Sequence, residues 1–185
     1  MKRLLLILIL TLSFQTLVKA DDIKDFQIEG ISLGDSLLDF YSEKKINNNL
    51  EDWFLPKYSV AVFEEQRGIY DEIQLIYKTK DKKYTIVGIS ALKFTDPKYC
   101  LEKIDSVTSE IKSIFSKKIT IRKKKTSKHP GDKSGKSKVT DIVFKLKKNK
   151  DLIIVACYDW SKKTEYWDNL RISIRTKEYD KHISR

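Results

Sequence analysis

One segment of this chain repeats with helical spacing, and most of what surrounds it alternates. After Asp96-Pro97, residues Cys100, Ile104, Val107, Ile111, Ile114 and Phe115 recur three and four apart, which puts a single apolar stripe on one side of a helix. Glu102, Asp105, Ser109 and Lys112 fall on the other side. Pro97 suits the first helical position, where the missing N–H costs nothing. The spacing predicts a helix over 97–117. The period changes to two at Tyr58, Val60 and Val62, at Ile73, Leu75 and Tyr77, at Thr140, Ile142, Phe144 and Leu146, and at Leu170, Ile172 and Ile174. Such runs read as strands, the last of them with one wet face, whereas 84–95 is apolar on both faces and reads as central, and 152–158 is a solid apolar run. Short polar connections at 66–70, 79–83 and 149–150 imply antiparallel hairpins. A lone amphipathic helix must cover a sheet to bury its stripe. The class is therefore α+β, with antiparallel sheet(s) of about six to seven strands packed by one long helix. The element order reads as two α-β-β-β halves.

Outside these elements the pattern is weaker. Phe26 to Leu33 suggests a first strand interrupted near Gly30, and Asp35 or Ser36 would cap a short helix through Leu37 to Tyr41. Leu50 to Pro56 reads as a second helical turn, and the tail from Thr176 is polar with helical character.

The first twenty residues follow other rules. Lys2 and Arg3 precede an apolar run from Leu4 to Leu17, and Val18-Lys19-Ala20 ends it with small residues at −3 and −1. That is a secretory signal, predicted to be cleaved near Ala20. The run is too short and too polar for a spanning anchor, and no cysteine near the exit site offers a lipid-attachment point. Residues 21–185 would then form a single exported domain, periplasmic or, as the alternative, secreted, with no transmembrane helix after cleavage. Export sets the reading of the only two cysteines, Cys100 and Cys157. An even pair in an oxidising compartment reads first as a disulfide, with two buried free thiols as the alternative.

Charge is concentrated. The whole chain carries +11, and residues 117–138 hold ten basic side chains against Asp132 alone. The rest of the exported part is near neutral. The sequence predicts a basic loop here, with Arg122, Lys123, Lys124, Lys125, Lys128, Lys133 and Lys136 as an anion- or partner-binding surface. Its partner would be an anionic envelope component: a lipid head group, lipopolysaccharide or an acidic protein. The aromatics that stack bases are missing, which argues against sequence-specific nucleic acid. Gly131 to Ser137 (GDKSGKS) imitates a phosphate-binding loop, but only three residues separate its glycines and no helix pattern follows.

A second candidate is aromatic. Tyr158, Trp160, Tyr166 and Trp167 surround the last hairpin beside Asp159 and Asp168. Flat rings next to carboxylates suit a sugar ring or a peptide, although such aromatics also cover core edges and set register. Catalytic signatures are missing: His129 and His182 have no local partners, and acid pairs such as Asp71-Glu72 read as hairpin solvation. No catalytic residue, metal site or cofactor is predicted.

Residues 26–38 (FQIEGISLGDSLL) resemble the opening of a group of exported hypothetical proteins of marine alphaproteobacteria with no established activity. They are also loosely similar to small envelope domains, including lipoprotein domains of the outer-membrane assembly type. The resemblance implies an envelope α+β domain and transfers no site residue. The functional expectation is a non-enzymatic binding domain of the cell envelope with a cationic contact loop. The alternative is a periplasmic hydrolase or small-ligand-binding protein whose site is assembled from distant residues.

Overall fold

The computed structural model describes residues 22–64 and 68–184, so the predicted signal over 1–20 lies outside the described residues. The chain is α+β. One antiparallel sheet of eight strands carries a helical layer on one face. After α1 (Glu43–Asn47) come β1 (Leu50–Glu51), β2 (Tyr58–Glu64), β3 (Glu72–Lys78) and β4 (Ile86–Phe94). After α2 (Pro97–Phe115) come β5 (Ile119–Lys128), β6 (Lys138–Leu146), β7 (Leu152–Asp159) and β8 (Asn169–Arg175), and α3 (Lys177–Ile183) closes the chain. The sheet order is β1-β2-β3-β4-β8-β7-β6-β5. Each four-strand run thus follows a helix, and the last strands of the two runs meet in the middle of the sheet.

The stripe on α2 dictates how this helix lies. Cys100, Ile104, Ile111 and Phe115 are buried, facing the inward side of β6, β7 and β8, where Ile142, Phe144, Ile153, Val155 and Ile172 share their core. Burying each such side chain is worth about 1.5–3 kcal/mol, far more than helix propensity contributes. The Cys100–Cys157 disulfide, with an S–S distance of 2.04 Å and a Cα–Cα distance of 5.8 Å, ties the first turn of α2 to β7. The other half of the inward face is covered by the chain before β1, in short 3-10 turns, a hairpin and α1. Ile23, Ile28, Ile31, Leu33, Leu37 and Ile46 join the same core, and Tyr41 stacks on Phe63 of β2 at 3.8 Å between ring centres.

Several expectations are corrected. The anticipated first strand is a tight hairpin with one bridged pair, Ile28 and Ile31. Glu29 and Gly30 at its tip have φ of 50° and 78°, as a two-residue mirror-image turn requires. Ser36 does cap a helical segment, a 3-10 turn over Leu37–Asp39, and the segment after Asn49 divides into β1 and a hydrogen-bonded turn, in which the N–H of Leu55 donates to the Asp52 carbonyl at 3.2 Å and that of Tyr58 to the Phe54 carbonyl at 3.1 Å. The long helix ends at Phe115 and passes through a 3-10 turn, Ser116–Lys118.

The largest correction concerns the basic segment. It is mainly strand, with only 129–137 left as a connection between β5 and β6. Consecutive lysines hide strand character because propensity disfavours them. On the outermost strand of a sheet, however, their side chains stay solvated on both faces. β5 hydrogen-bonds only to β6, and its register shifts between Arg122 and Lys125. Lysines and a bulge on an edge both discourage pairing with a second copy. Replacing Lys123 and Lys125 by valine should therefore change Tm by no more than about 2 °C, as expected of surface sites. The same variant should associate as concentration rises. Light scattering that stays monomeric would show that these charges do not guard the edge.

Candidate functional site

The outward face of the sheet is only half covered. α3 closes one end, where Tyr179 packs on Tyr58, Val60 and Ile76. An added Cβ on Gly88 would lie 2.9 Å from the Tyr179 ring, so a glycine at this point of β4 lets α3 approach. Beside this cap, the outward positions of β2, β3, β4, β7 and β8 form the floor of an open groove of about 460 Å³.

Period-two alternation places each floor residue. Register pairs Leu92 with Arg171 and Phe94 with Asn169 across β4 and β8, Glu72 with Leu92 across β3 and β4, and Tyr158 with Asn169 across β7 and β8. All six line the groove, together with Val62 and Gln74. One wall is the chain after β1, through Trp53 and Phe54. The other is the connection between β7 and β8, through Trp160, Tyr166 and Trp167, with His129 and Gly131 of the β5–β6 connection beside it. All three tryptophans of the chain line this one groove. Trp53, Phe94, Tyr166 and Trp167 are 47%, 40%, 65% and 73% exposed, so the rim offers open ring faces.

The second wall is held by hydrogen bonds between the two connections. Asp132 accepts from the backbone N–H groups of Ser134 and Ser137, both at 2.8 Å, and from both serine hydroxyls. These bonds hold its carboxyl well below the ordinary range. Buried Ser137 in turn accepts from the N–H of Ser161 at 2.9 Å. Asp168 accepts from the N–H of Trp160 at 2.6 Å. The GDKSGKS stretch is thus a turn organised around its own aspartate.

The rings touch one another. Trp160 lies 4.3 Å from His129, 4.6 Å from Tyr166 and 5.7 Å from Tyr158 between centres. Burial, and then the Arg171 charge, push the His129 imidazole down from its ordinary value. Its Nδ1 accepts from the N–H of Gly131 at 3.1 Å, which leaves the neutral ring's proton on Nε2.

Arg171 is the one cation on the floor. Its guanidinium carbon sits 4.4 Å from the centre of the Tyr158 ring. Its Nε is closed off from water without a hydrogen-bond partner, and burial disfavours its charged form. Asn169, two residues earlier on the same face, donates from Nδ2 to the Trp167 carbonyl at 2.9 Å. Its Oδ1 is likewise buried and unpaired.

The structure thus brings the four sequence-predicted aromatics Tyr158, Trp160, Tyr166 and Trp167 to one groove. The basic residues lie elsewhere, exposed on the edge hairpin. Arg122 pairs with Asp141 on the neighbouring strand, and Lys124 bonds both carboxylate oxygens of Asp105 on α2, at 2.9 and 2.7 Å. Lys123, Lys125, Lys128, Lys133 and Lys136 are exposed and make no ion pair among the described residues. Glu72, read from sequence as hairpin solvation, lines the groove and accepts from Gln74 at 2.7 Å, whereas Asp71 holds the chain end of β4 through Lys93 and the N–H of Phe94. Trp53, Phe94, His129 and Arg171 carried no functional signal in sequence. Arg171 was legible only as an outward residue of a one-side-wet strand.

Chemically, the groove offers ring faces at the rim and planar hydrogen-bonding groups beneath: Glu72, Gln74, Asn169 and Arg171. Among the described residues, no group of three His, Cys, Asp or Glu side chains could hold a metal ion, and no helix is long and apolar enough to cross a membrane. No family model, no curated protein and no solved structure matches this chain.

Proposed function

We propose that the chain is a binding domain of the cell envelope and that its groove holds a saccharide. The observation that carries this reading is the gathering of all three tryptophans and four further aromatics around polar, planar side chains on an open face. A sugar ring presents C–H groups above and below, which stack on flat aromatics. Its hydroxyls are donors and acceptors that pair with carboxylate, amide and guanidinium groups. The groove has the volume of a small-ligand site, about 460 Å³, and its open side lets a longer chain run on beyond it. The signal-like N-terminus, the disulfide and the resemblance of 26–38 support placement in the periplasm or outside the cell.

A second contact reading rests on a separate surface. The exposed, unpaired lysines of the β5–β6 hairpin suit an anionic envelope component such as a lipid head group, lipopolysaccharide or an acidic protein. It is compatible with the first, because the two surfaces share only the hairpin's tip.

The three tryptophans make the groove its own reporter. Titrating residues 21–185 with neutral and acidic hexasaccharides should give a saturable change in tryptophan emission with at least one of them. Trp167→Ala should weaken that binding about tenfold or more, the equivalent of one lost stacking contact, and leave the fold intact because the side chain is 73% exposed. Emission unmoved by every sugar would refute the saccharide reading.

A further inference from the structure

We infer that the saccharide is acidic, with a carboxylate borne on its ring seated against Arg171; this rests on the saccharide reading above. Four buried side-chain polar atoms have no hydrogen-bond partner among the described residues: Tyr58 Oη, Thr108 Oγ1, Asn169 Oδ1 and Arg171 Nε. The last two are neighbours on the outward face of β8, both in the groove. Native structures rarely leave such groups unpaired, and their clustering marks a place where a partner arrives from outside.

For Arg171 the missing partner is a directly bonded anion. Among the described residues it forms no ion pair: the Tyr158 ring lies 4.4 Å from its guanidinium, and the Glu72 carboxylate in the same groove acts on its charge without bonding it. A ring quadrupole offsets part of the cost of a desolvated cation, whereas a carboxylate matches the planar fork with two parallel hydrogen bonds. The groove also limits how much negative charge fits. Glu51, Glu72 and Glu165 line it, so a doubly charged phosphate would meet three carboxylates with one cation to hold it. A singly charged carboxylate meets the same three glutamates with half the repulsion and matches the Arg171 charge one to one. The glutamates then serve as acceptors for ring hydroxyls.

The rim fixes the remaining geometry. Trp160, Tyr166 and Trp167 rise on one side and Trp53 and Phe54 on the other, so ring faces stack at the rim while an edge substituent points to the floor. A uronic-acid unit has that shape: a flat C–H face and an equatorial carboxylate.

The test compares hexagalacturonate with its methyl ester, which keeps every ring and hydroxyl and removes the charge. Binding is read by tryptophan emission and by calorimetry. The unmodified protein should bind the acid at least tenfold more tightly than the ester, with a preference that shrinks as salt rises. Arg171→Gln should lower acid affinity to that of the ester and leave ester affinity unchanged. A variant with Lys123, Lys125, Lys133 and Lys136 changed to serine should keep the full preference, which separates the groove from the cationic hairpin. Equal binding of acid and ester by the unmodified protein would overturn the inference and leave the saccharide reading standing. A preference lost in the lysine variant but kept in Arg171→Gln would overturn it too. Binding of neither compound, nor of any neutral hexasaccharide, would overturn both. Where Arg171→Gln does not fold, the lysine variant decides: a preference that survives there belongs to the groove, and one that is lost there overturns the inference.

Discussion

Changing Cys100 and Cys157 to serine should lower the stability of this domain by about 4 kcal/mol and its Tm by roughly 8–16 °C. The two cysteines are 57 residues apart, and cross-linking them removes that loop's freedom from the unfolded chain. The bond also spans the two layers. Cys100 is on the buried stripe of α2 and Cys157 on β7, and both are buried. Serine hydroxyls there would be desolvated without assured partners, which adds to the loss. Calorimetry of the double variant, and of the native protein with and without reductant, measures the effect. A change below about 1 kcal/mol would mean that the apolar stripe alone seats α2.

Phe144→Ala should cost about 3–5 kcal/mol. Phe144 is fully buried on β6, paired across strands with Ile121 of β5 and Ile153 of β7, and it shares the core beneath α2 with Ile104, Ile111 and Phe115. Truncation loses the transfer free energy of the ring and leaves a cavity. The sheet cannot easily collapse to fill it, because β6 is hydrogen-bonded on both sides. Urea unfolding should show a lower midpoint with an unchanged slope. A cost under about 1 kcal/mol would mean that α2 settles into the space.

Both outcomes hinge on residues that local pattern marks. Phe144 belongs to an alternating run and Cys100 to a helical stripe, and each pattern comes from the geometry of its own element. The groove is another matter. Its four flagged aromatics cluster in the sequence around the last hairpin, which is why they could be named together. Trp53 and Phe94 come from separate segments, and His129 from a turn inside a run of lysines. They meet because β4 pairs with β8 and because the β5–β6 and β7–β8 connections are joined through Ser137 and Ser161.

The basic segment teaches the opposite lesson. Its charge was correctly located, but charge and lysine content are poor guides to backbone state on an edge. Arg122 to Lys125 run along a strand because β6 beside them supplies the ladder, while their side chains keep their water. Lys124 and Arg122 also find partners, Asp105 and Asp141, that lie 19 residues away along the chain.

Local periodicity therefore determined the α+β class, the long helix and its buried face, most of the strands, and the pair of cysteines available to bond. These follow from short-range geometry, because 3.6- and 2-residue repeats show directly which side of an element seeks cover. The tertiary structure alone decided the strand order, the edge position of the basic segment and the groove floored by Arg171. Those depend on which strands pair across long stretches of chain. Only once that pairing sets the register do side chains from five strands and three loops face one another, and only then does Arg171 lie in the groove without an ion pair among the described residues.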